Sequence, residues 1–70
     1  MTDVLLVGGG GREHALAWKL GQSPRLGRMI AALGNPGIAA LARCVPVKDT
    51  AIDELVELAR RERPDLVVVG

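Results

Sequence analysis

The stretch that decides the fold is VLLVGGGGREHA, residues 4–15. Its first four residues are an apolar run with valine at both ends, which is typical of a parallel strand buried on both faces. Four consecutive glycines follow, and they let the backbone turn sharply and leave no Cβ in the way of a ligand. The residues after them favour a helix, whose free N–H groups and positive dipole end point back at the loop. Strand, glycine loop and helix N-terminus together predict an anion site, and phosphate is the usual anion at such sites.

Size and composition limit the function classes that the chain can belong to. Its 70 residues include 9 basic and 8 acidic side chains, so the formal net charge of +1 gives no basic surface for nucleic acid. No run approaches the roughly 20 apolar residues of a membrane span. We therefore expect neither a nucleic-acid nor a membrane partner. Hydrophobic residues make up 49% with no Phe or Tyr, and a Val, Leu, Ile and Ala core suits a parallel sheet flanked by helices.

Two features bear on the cellular setting and on completeness. Cys44 is the only cysteine and no secretory signal follows Met1, which together predict a reducing, cytoplasmic location. The final apolar run, residues 65–70, resembles a strand that stops where its loop should begin. We therefore expect this chain to be part of a longer protein.

Hydrophobic periodicity divides the chain into alternating strands and helices. Strands are predicted at about 3–7, 28–33, 45–47 and 65–70, long helices at about 12–21 and 50–63, and a helical turn at 38–43. With right-handed crossovers this pattern predicts an α/β fold, a doubly wound parallel sheet of the Rossmann-like kind with strand order 3-2-1-4. The ligand crevice of such a sheet lies between the first and last strands, which end at Gly8 and Gly70.

Local sequence signals make three predictions about the connections. Gly34-Asn35-Pro36-Gly37 contains Pro followed by Gly, the pair that is typical of the centre of a type II turn. Pro46 cannot donate to a ladder, so the third strand is placed at a sheet edge. Thr50-Ala51-Ile52-Asp53 resembles a capping box that starts the second long helix.

Helical spacing also predicts which faces are buried. In the first helix Leu16, Ala17 and Leu20 share one face, and Glu13 falls in the same sector. In the second, a regular apolar pattern predicts the core face. The members of that pattern are Ile52, Leu55, Val56 and Ala59.

A dinucleotide site is the main competing interpretation, because the loop partly matches the G-x-G-x-x-G fingerprint. Counted from Gly8, the third glycine position holds Glu13, and counted from Gly9 it holds His14. The second strand ends at residues 31–34 without the carboxylate that binds the ribose. An NAD(P)-dependent oxidoreductase domain stays as the alternative, and a regulatory domain that binds a small anion is a third hypothesis.

The charged and nucleophilic side chains near the loop each allow two interpretations. Arg12 either contacts the anion or is solvated, and Glu13 is either a dipole partner or a ligand for an amine or ribose hydroxyl. His14 is expected to pack with Trp18, and Cys44 to be a buried small side chain. The sequence shows no complete catalytic apparatus and no metal-ligand spacing, so we predict no catalytic or metal residues within it.

Residues 7–20, VGGGGREHALAWKL, closely resemble the opening of the phosphoribosylamine–glycine ligase family, also called glycinamide ribonucleotide synthetase. Residues 34–37 resemble the family's Pro-Gly-Asn-x-Gly loop, and residues 64–70 resemble its run into a Gly-Pro-Glu segment. The resemblance covers essentially all 70 residues. It implies a pre-ATP-grasp domain at the amino terminus, with an ATP-grasp region beyond residue 70.

The resemblance implies the activity and the ligands as well. The full enzyme would join glycine to phosphoribosylamine with ATP and Mg²⁺ or Mn²⁺ in purine synthesis, and both ATP and metal would bind beyond these 70 residues. The fragment alone is expected to be inactive. By the same resemblance the phosphate side of the site would be lined by Gly9, Gly10, Gly11 and Arg12. Glu13 would face the sugar or amine, and residues from Gly70 onward would close the crevice.

Overall fold

A computed structural model describes residues 1–48 and 50–69 of the chain. Strands and helices alternate along it, as the periodicity predicts. The elements are β1 (Thr2–Gly8), α1 (Gly11–Gly21), β2 (Leu26–Leu33), α2 (Pro36–Ala39), β3 (Arg43–Val45), α3 (Ile52–Glu62) and β4 (Leu66–Val69).

The four strands form one parallel sheet in the order β3-β2-β1-β4. In its register Leu5 of β1 lies between Ile30 of β2 and Val67 of β4. Residues Val4 to Val7 are all buried, which follows from the central position of β1 and from the helices on both faces. The predicted α/β class and strand order are confirmed.

Two hydrophobic clusters pack on opposite faces of the sheet, because successive strand residues point to opposite sides. One cluster is centred on Leu6, with α1 and α2 covering it, and the other on Leu5, with α3 covering it. The α1 side comprises Leu6, Ala17, Met29, Ala31 and Ile38. The α3 side comprises Leu5, Val7, Ile30, Ala32 and Leu58.

The predicted core face of α1 is confirmed. Ala17 is fully buried, and Leu16 and Leu20 pack against the same cluster. The opposite side of the helix is open, since the Trp18 side chain is 57% exposed.

The predicted core face of α3 is partly wrong. Leu58, absent from the predicted pattern, is buried at 2% exposure, whereas Ile52 and Val56 are 64% and 52% exposed. Leu58 packs on residues of β1 and β2, so the helix lies over the sheet centre and not over β4. Ile52 and Val56 consequently border an apolar groove beside β4, which is also lined by Leu5, Val7, Leu55, Ala59, Val67 and Val69.

The predicted type II turn at residues 34–37 is wrong. Pro36 is instead the first residue of α2, and the Asn35 side chain accepts a hydrogen bond from the N–H of Ile38. Proline suits the first helical position because its missing N–H and its φ near −65° cost nothing there. The short helix therefore spans Pro36–Ala39, earlier than the predicted 38–43.

The other connections differ from the predictions by a few residues. The third strand is Arg43–Val45 at the sheet edge, and Pro46 follows it. Its edge position is confirmed, although the strand begins two residues earlier than predicted. The capping box is wrong, because the N-cap of α3 is Ala51 and no side chain caps it.

A network of ion pairs connects strands and α3 at the end of the sheet where the strands begin. Arg28 of β2 pairs with Asp3 of β1 at 3.3 Å and with Glu62 of α3 at 3.1 Å. Glu62 also pairs with Arg43 at 3.0 Å and with Arg61 at 3.2 Å. One carboxylate thus joins β2, β3 and α3 at the end opposite the glycine loop.

None of the helices in the described ranges has the length and apolar character needed to cross a bilayer.

Candidate functional site

The glycine loop, Gly8 to Gly11, lies at the carboxyl end of the central strand. Gly8 ends β1, Gly10 is the N-cap of α1, and Gly11 is its first residue. The first hydrogen bond of the helix runs from the His14 N–H to the Gly10 carbonyl at 3.1 Å. The N–H groups before His14 have no partner within the helix, as at any helix start, and they face the loop with the positive end of the dipole.

Packing accounts for the first two glycines but not for the last two. Gly8 has φ +130°, and a Cβ on Gly9 would overlap the carbonyl oxygen of Gly34. A Cβ on Gly10 would meet only the tip of the Glu13 side chain, at 3.2 Å, and one on Gly11 would meet nothing within 4 Å. The fold therefore requires glycine at positions 8 and 9. At positions 10 and 11 packing would accept a side chain, so packing does not explain why the main chain is left uncovered there.

The loop after β2, residues 34 and 35, lies directly against the glycine loop. The Gly34 N–H donates to the Gly8 carbonyl at 3.2 Å, and the Asn35 Nδ2 donates to the Gly9 carbonyl at 2.7 Å. The sequence prediction does not include Asn35 in the site, because it places Asn35 in a turn. An asparagine directly before a proline is a signal for an N-cap, which could have predicted the bond from the Ile38 N–H but not the bond to Gly9.

Glu13 lies over the loop, as its position in the first turn of α1 predicts. A Cβ on Gly8 would overlap its side chain, and the residue is half-buried. A carboxylate there accepts hydrogen bonds from hydroxyl or ammonium groups and repels a phosphate placed directly beside it. The carboxylate therefore suits a ligand group that donates hydrogen bonds.

Arg12 is exposed at the start of α1. Over residues 1–48 and 50–69 no salt bridge involves its guanidinium. Gly70 lies outside the described residues. The far wall of the predicted crevice is represented by Val69, which pairs with Val7 next to the loop.

The side chains of two other candidates lie against α2 and the loop after β2. The His14 ring rests on Gly37 of α2, where a Cβ would overlap it, and it shares an outer cleft of α1 with Trp18. Cys44 is half-buried in the α1-side cluster, with its Sγ against Gly34. Neither has a nucleophile–base partner in the described part of the chain. No group of three or more His, Cys, Asp or Glu side chains there could hold a metal ion.

Several curated proteins similar to this chain are named phosphoribosylamine–glycine ligase. The chain is 63% identical over 67 residues to phosphoribosylamine–glycine ligase of Caulobacter vibrioides, 54% over 67 residues to that of Rhizobium meliloti and 54% over 70 residues to that of Brucella melitensis. Each match covers 96% of this chain and 16% of the relative. The chain therefore spans about a sixth of the length of these relatives.

The family model described as "Phosphoribosylglycinamide synthetase, N domain" matches residues 2–70. That range contains the whole sheet, the glycine loop and the loop after β2. Because the match extends over nearly the entire chain, this chain belongs to the phosphoribosylglycinamide synthetase N-domain family.

Proposed function

We propose that this chain is the substrate-binding α/β domain of an ATP-dependent ligase that joins glycine to phosphoribosylamine. Its role is to hold phosphoribosylamine by the phosphate at the glycine loop. The observation that carries the proposal is that the main chain of Gly10 and Gly11 is open at the N-terminus of α1, although packing would accept side chains at both positions. The names of the relatives supply the substrate.

The roles of the chain's own residues follow from their places around the loop. The N–H groups of Gly9, Gly10 and Gly11 donate to the phosphate, and Arg12 adds a positive charge. Glu13 accepts hydrogen bonds from the sugar hydroxyls or the amine, and so orients that amine toward the crevice between β1 and β4. Residues from Gly70 onward complete the opposite wall.

ATP and Mg²⁺, which the family implies, belong to a region beyond residue 70 in this proposal. When bound, ATP supplies the phosphoryl group that activates the glycine carboxylate for attack by the amine. The described residues offer no carboxylate cluster suited to Mg²⁺, so no catalytic step is assigned to a metal held by this domain. The domain binds and orients one reactant.

Gly10→Val tests the phosphate role in the full-length protein. The φ of −86° and ψ of −177° at Gly10 are extended values that valine adopts readily, so we expect the variant to fold. Its branched side chain would fill the cradle, and we expect turnover to be abolished and binding of glycinamide ribonucleotide to weaken at least about 100-fold, or about 2.7 kcal/mol. Isothermal titration calorimetry and a steady-state assay measure these effects.

Ala15→Val is the matched control. It adds the same branched side chain on the exposed side of α1, and we expect binding to match that of the unmodified protein. Normal turnover by Gly10→Val would contradict the phosphate role. Tight binding of NADH by the full-length protein, with no response to glycinamide ribonucleotide, would favour the oxidoreductase alternative.

A further inference from the structure

Asn35 uses both polar atoms of its side chain at once. Its Oδ1 accepts from the Ile38 N–H at 2.9 Å and its Nδ2 donates to the Gly9 carbonyl at 2.7 Å. Only one orientation of the amide satisfies both bonds, because a carbonyl accepts and an N–H donates. The side chain is partly buried, which strengthens such bonds relative to exposed ones.

The bond from Asn35 to the Gly9 carbonyl also fixes the direction of the Gly10 N–H. The Gly9 C=O and the Gly10 N–H belong to the same peptide unit, which is planar and trans, so they point in opposite directions. Holding the carbonyl toward the loop after β2 turns the Gly10 N–H away from that loop. Glycine has wide conformational freedom, so without this bond the peptide between Gly9 and Gly10 can rotate.

We propose that Asn35 is a positioning residue for phosphosugar binding, acting through the orientation of the peptide between Gly9 and Gly10. Asn35 itself does not touch the substrate, and its cap on α2 is a separate, structural role. The inference rests on the proposed function, because it assigns the Gly10 N–H as a donor to the phosphate.

Asn35→Asp separates the two roles in the full-length protein. Aspartate caps a helix as well as asparagine does, so the bond from Ile38 is kept. The donor to Gly9 is lost, and a carboxylate oxygen then faces the carbonyl oxygen and repels it. We expect the affinity for glycinamide ribonucleotide, measured by calorimetry, to fall about tenfold or more, as expected for one lost hydrogen bond. The KM for phosphoribosylamine should rise in parallel, while the KM values for ATP and glycine stay within about twofold.

Ile38→Val is the matched control. It removes one methyl group from a fully buried position of the same helix and leaves the Gly9 contact in place. We expect it to lower the melting temperature at least as much as Asn35→Asp does, with no change in the affinity for glycinamide ribonucleotide. This contrast separates positioning from simple stabilisation of α2.

Two results would overturn the inference. The first is unchanged affinity of Asn35→Asp for glycinamide ribonucleotide, and the second is an equal rise in the KM values for all three substrates. If Asn35→Asp binds normally while Gly10→Val does not, the positioning role fails and the phosphate site stands. If the unmodified protein does not bind glycinamide ribonucleotide, the proposed function itself fails.

Discussion

At the scale of single residues, the four adjacent glycines of the loop have four different environments. Gly8 is needed for its positive φ, and Gly9 for its close approach to the Gly34 carbonyl. Gly10 and Gly11 have room for a Cβ, with at most the flexible Glu13 side chain nearby. A run of identical residues therefore combines two structural positions with two that are open to a ligand.

Gly9→Ala and Gly11→Ala form a matched pair that tests this division. The added methyl at position 9 must push the two loops apart, and we expect a loss of about 1–3 kcal/mol in local stability, as for other overpacked sites. At position 11 it meets open space at a helix start, and we expect no loss and a gain of up to about 1 kcal/mol. Hydrogen–deuterium exchange of the β1 and α1 amides in the full-length protein measures both. Equal protection in the two variants would contradict the assignment.

At the scale of elements, the ends of the helices depend on different devices. Helix α2 is capped by Asn35, whereas α3 has no side-chain cap and ends at Arg63 in the left-handed conformation, with φ +51°. The Arg63 N–H donates to the Ala59 carbonyl at 2.9 Å, which closes the last turn. Glycine is the residue that usually fills such a position, because it has no Cβ to strain there. The end of α3 therefore carries a small backbone strain.

Arg63→Gly should relieve that strain. The left-handed conformation costs a non-glycine residue roughly 1–2 kcal/mol, and the greater freedom of glycine in the unfolded chain offsets part of this. We expect a net gain of about 0.5–1 kcal/mol, seen as slower amide exchange in the last turn of α3.

Arg60→Gly is the control for Arg63→Gly. It removes the same charge from an exposed position inside the helix, and we expect it to lower stability by about 1 kcal/mol. Since both variants lose one arginine, the difference between them isolates the backbone effect. Destabilisation of similar size in both would show that Arg63 is not strained.

At the scale of the whole molecule, the two ends of the sheet carry different features. The carboxyl ends of the strands carry the glycine loop, and the amino ends carry the ion pairs among Asp3, Arg28, Arg43, Arg61 and Glu62. Hydrogen bonds from Arg61, Arg43 and Arg28, partly opposed by desolvation, hold the pKa of Glu62 below its ordinary value. The backbone N–H of Arg28 is the main cause that lowers the pKa of Asp3. Within the described residues, these ion pairs thus lie at the end of the sheet opposite the candidate site.

The lowered pKa of Glu62 predicts an acid-sensitive end of the sheet. A carboxyl whose pKa is lower in the folded state stabilises the fold above its unfolded pKa, and this contribution is lost as the pH falls through the folded value. We expect protection of the β2 and α3 amides to decline below about pH 4.5, once exchange rates are corrected for pH. Glu62→Gln should lower protection at pH 7 and weaken this decline, leaving the part due to Asp3.

Glu57→Gln provides the comparison for Glu62→Gln. Glu57 is exposed on the same helix, and within the described ranges no salt bridge involves it. Its substitution should leave both the protection at pH 7 and the acid decline unchanged. An identical acid decline in the unmodified protein and Glu62→Gln would remove Glu62 from this role.

The sequence by itself determined the sheet and the position of the loop. Short apolar runs separated by amphipathic helices allow few arrangements once crossovers are right-handed, so the order β3-β2-β1-β4 could be predicted. The candidate site could be located as well, because the glycine run lies between a buried strand and a helix. Glu13 could be placed near the loop because it lies in the first turn of α1.

Only the tertiary structure decided which side chains of α3 are buried and which side chain bonds to the glycine loop. The pattern of α3 made Ile52 and Val56 as suitable for the core as Leu55, and the position of α3 over β1 and β2 buried Leu58 in their place. The bond from Asn35 to Gly9 joins residues 26 positions apart, and no local pattern encodes it. Periodicity and turn chemistry act over a few residues. The close packing of Gly9 against Gly34 and the bond that orients the glycine loop instead join two loops that are distant in sequence.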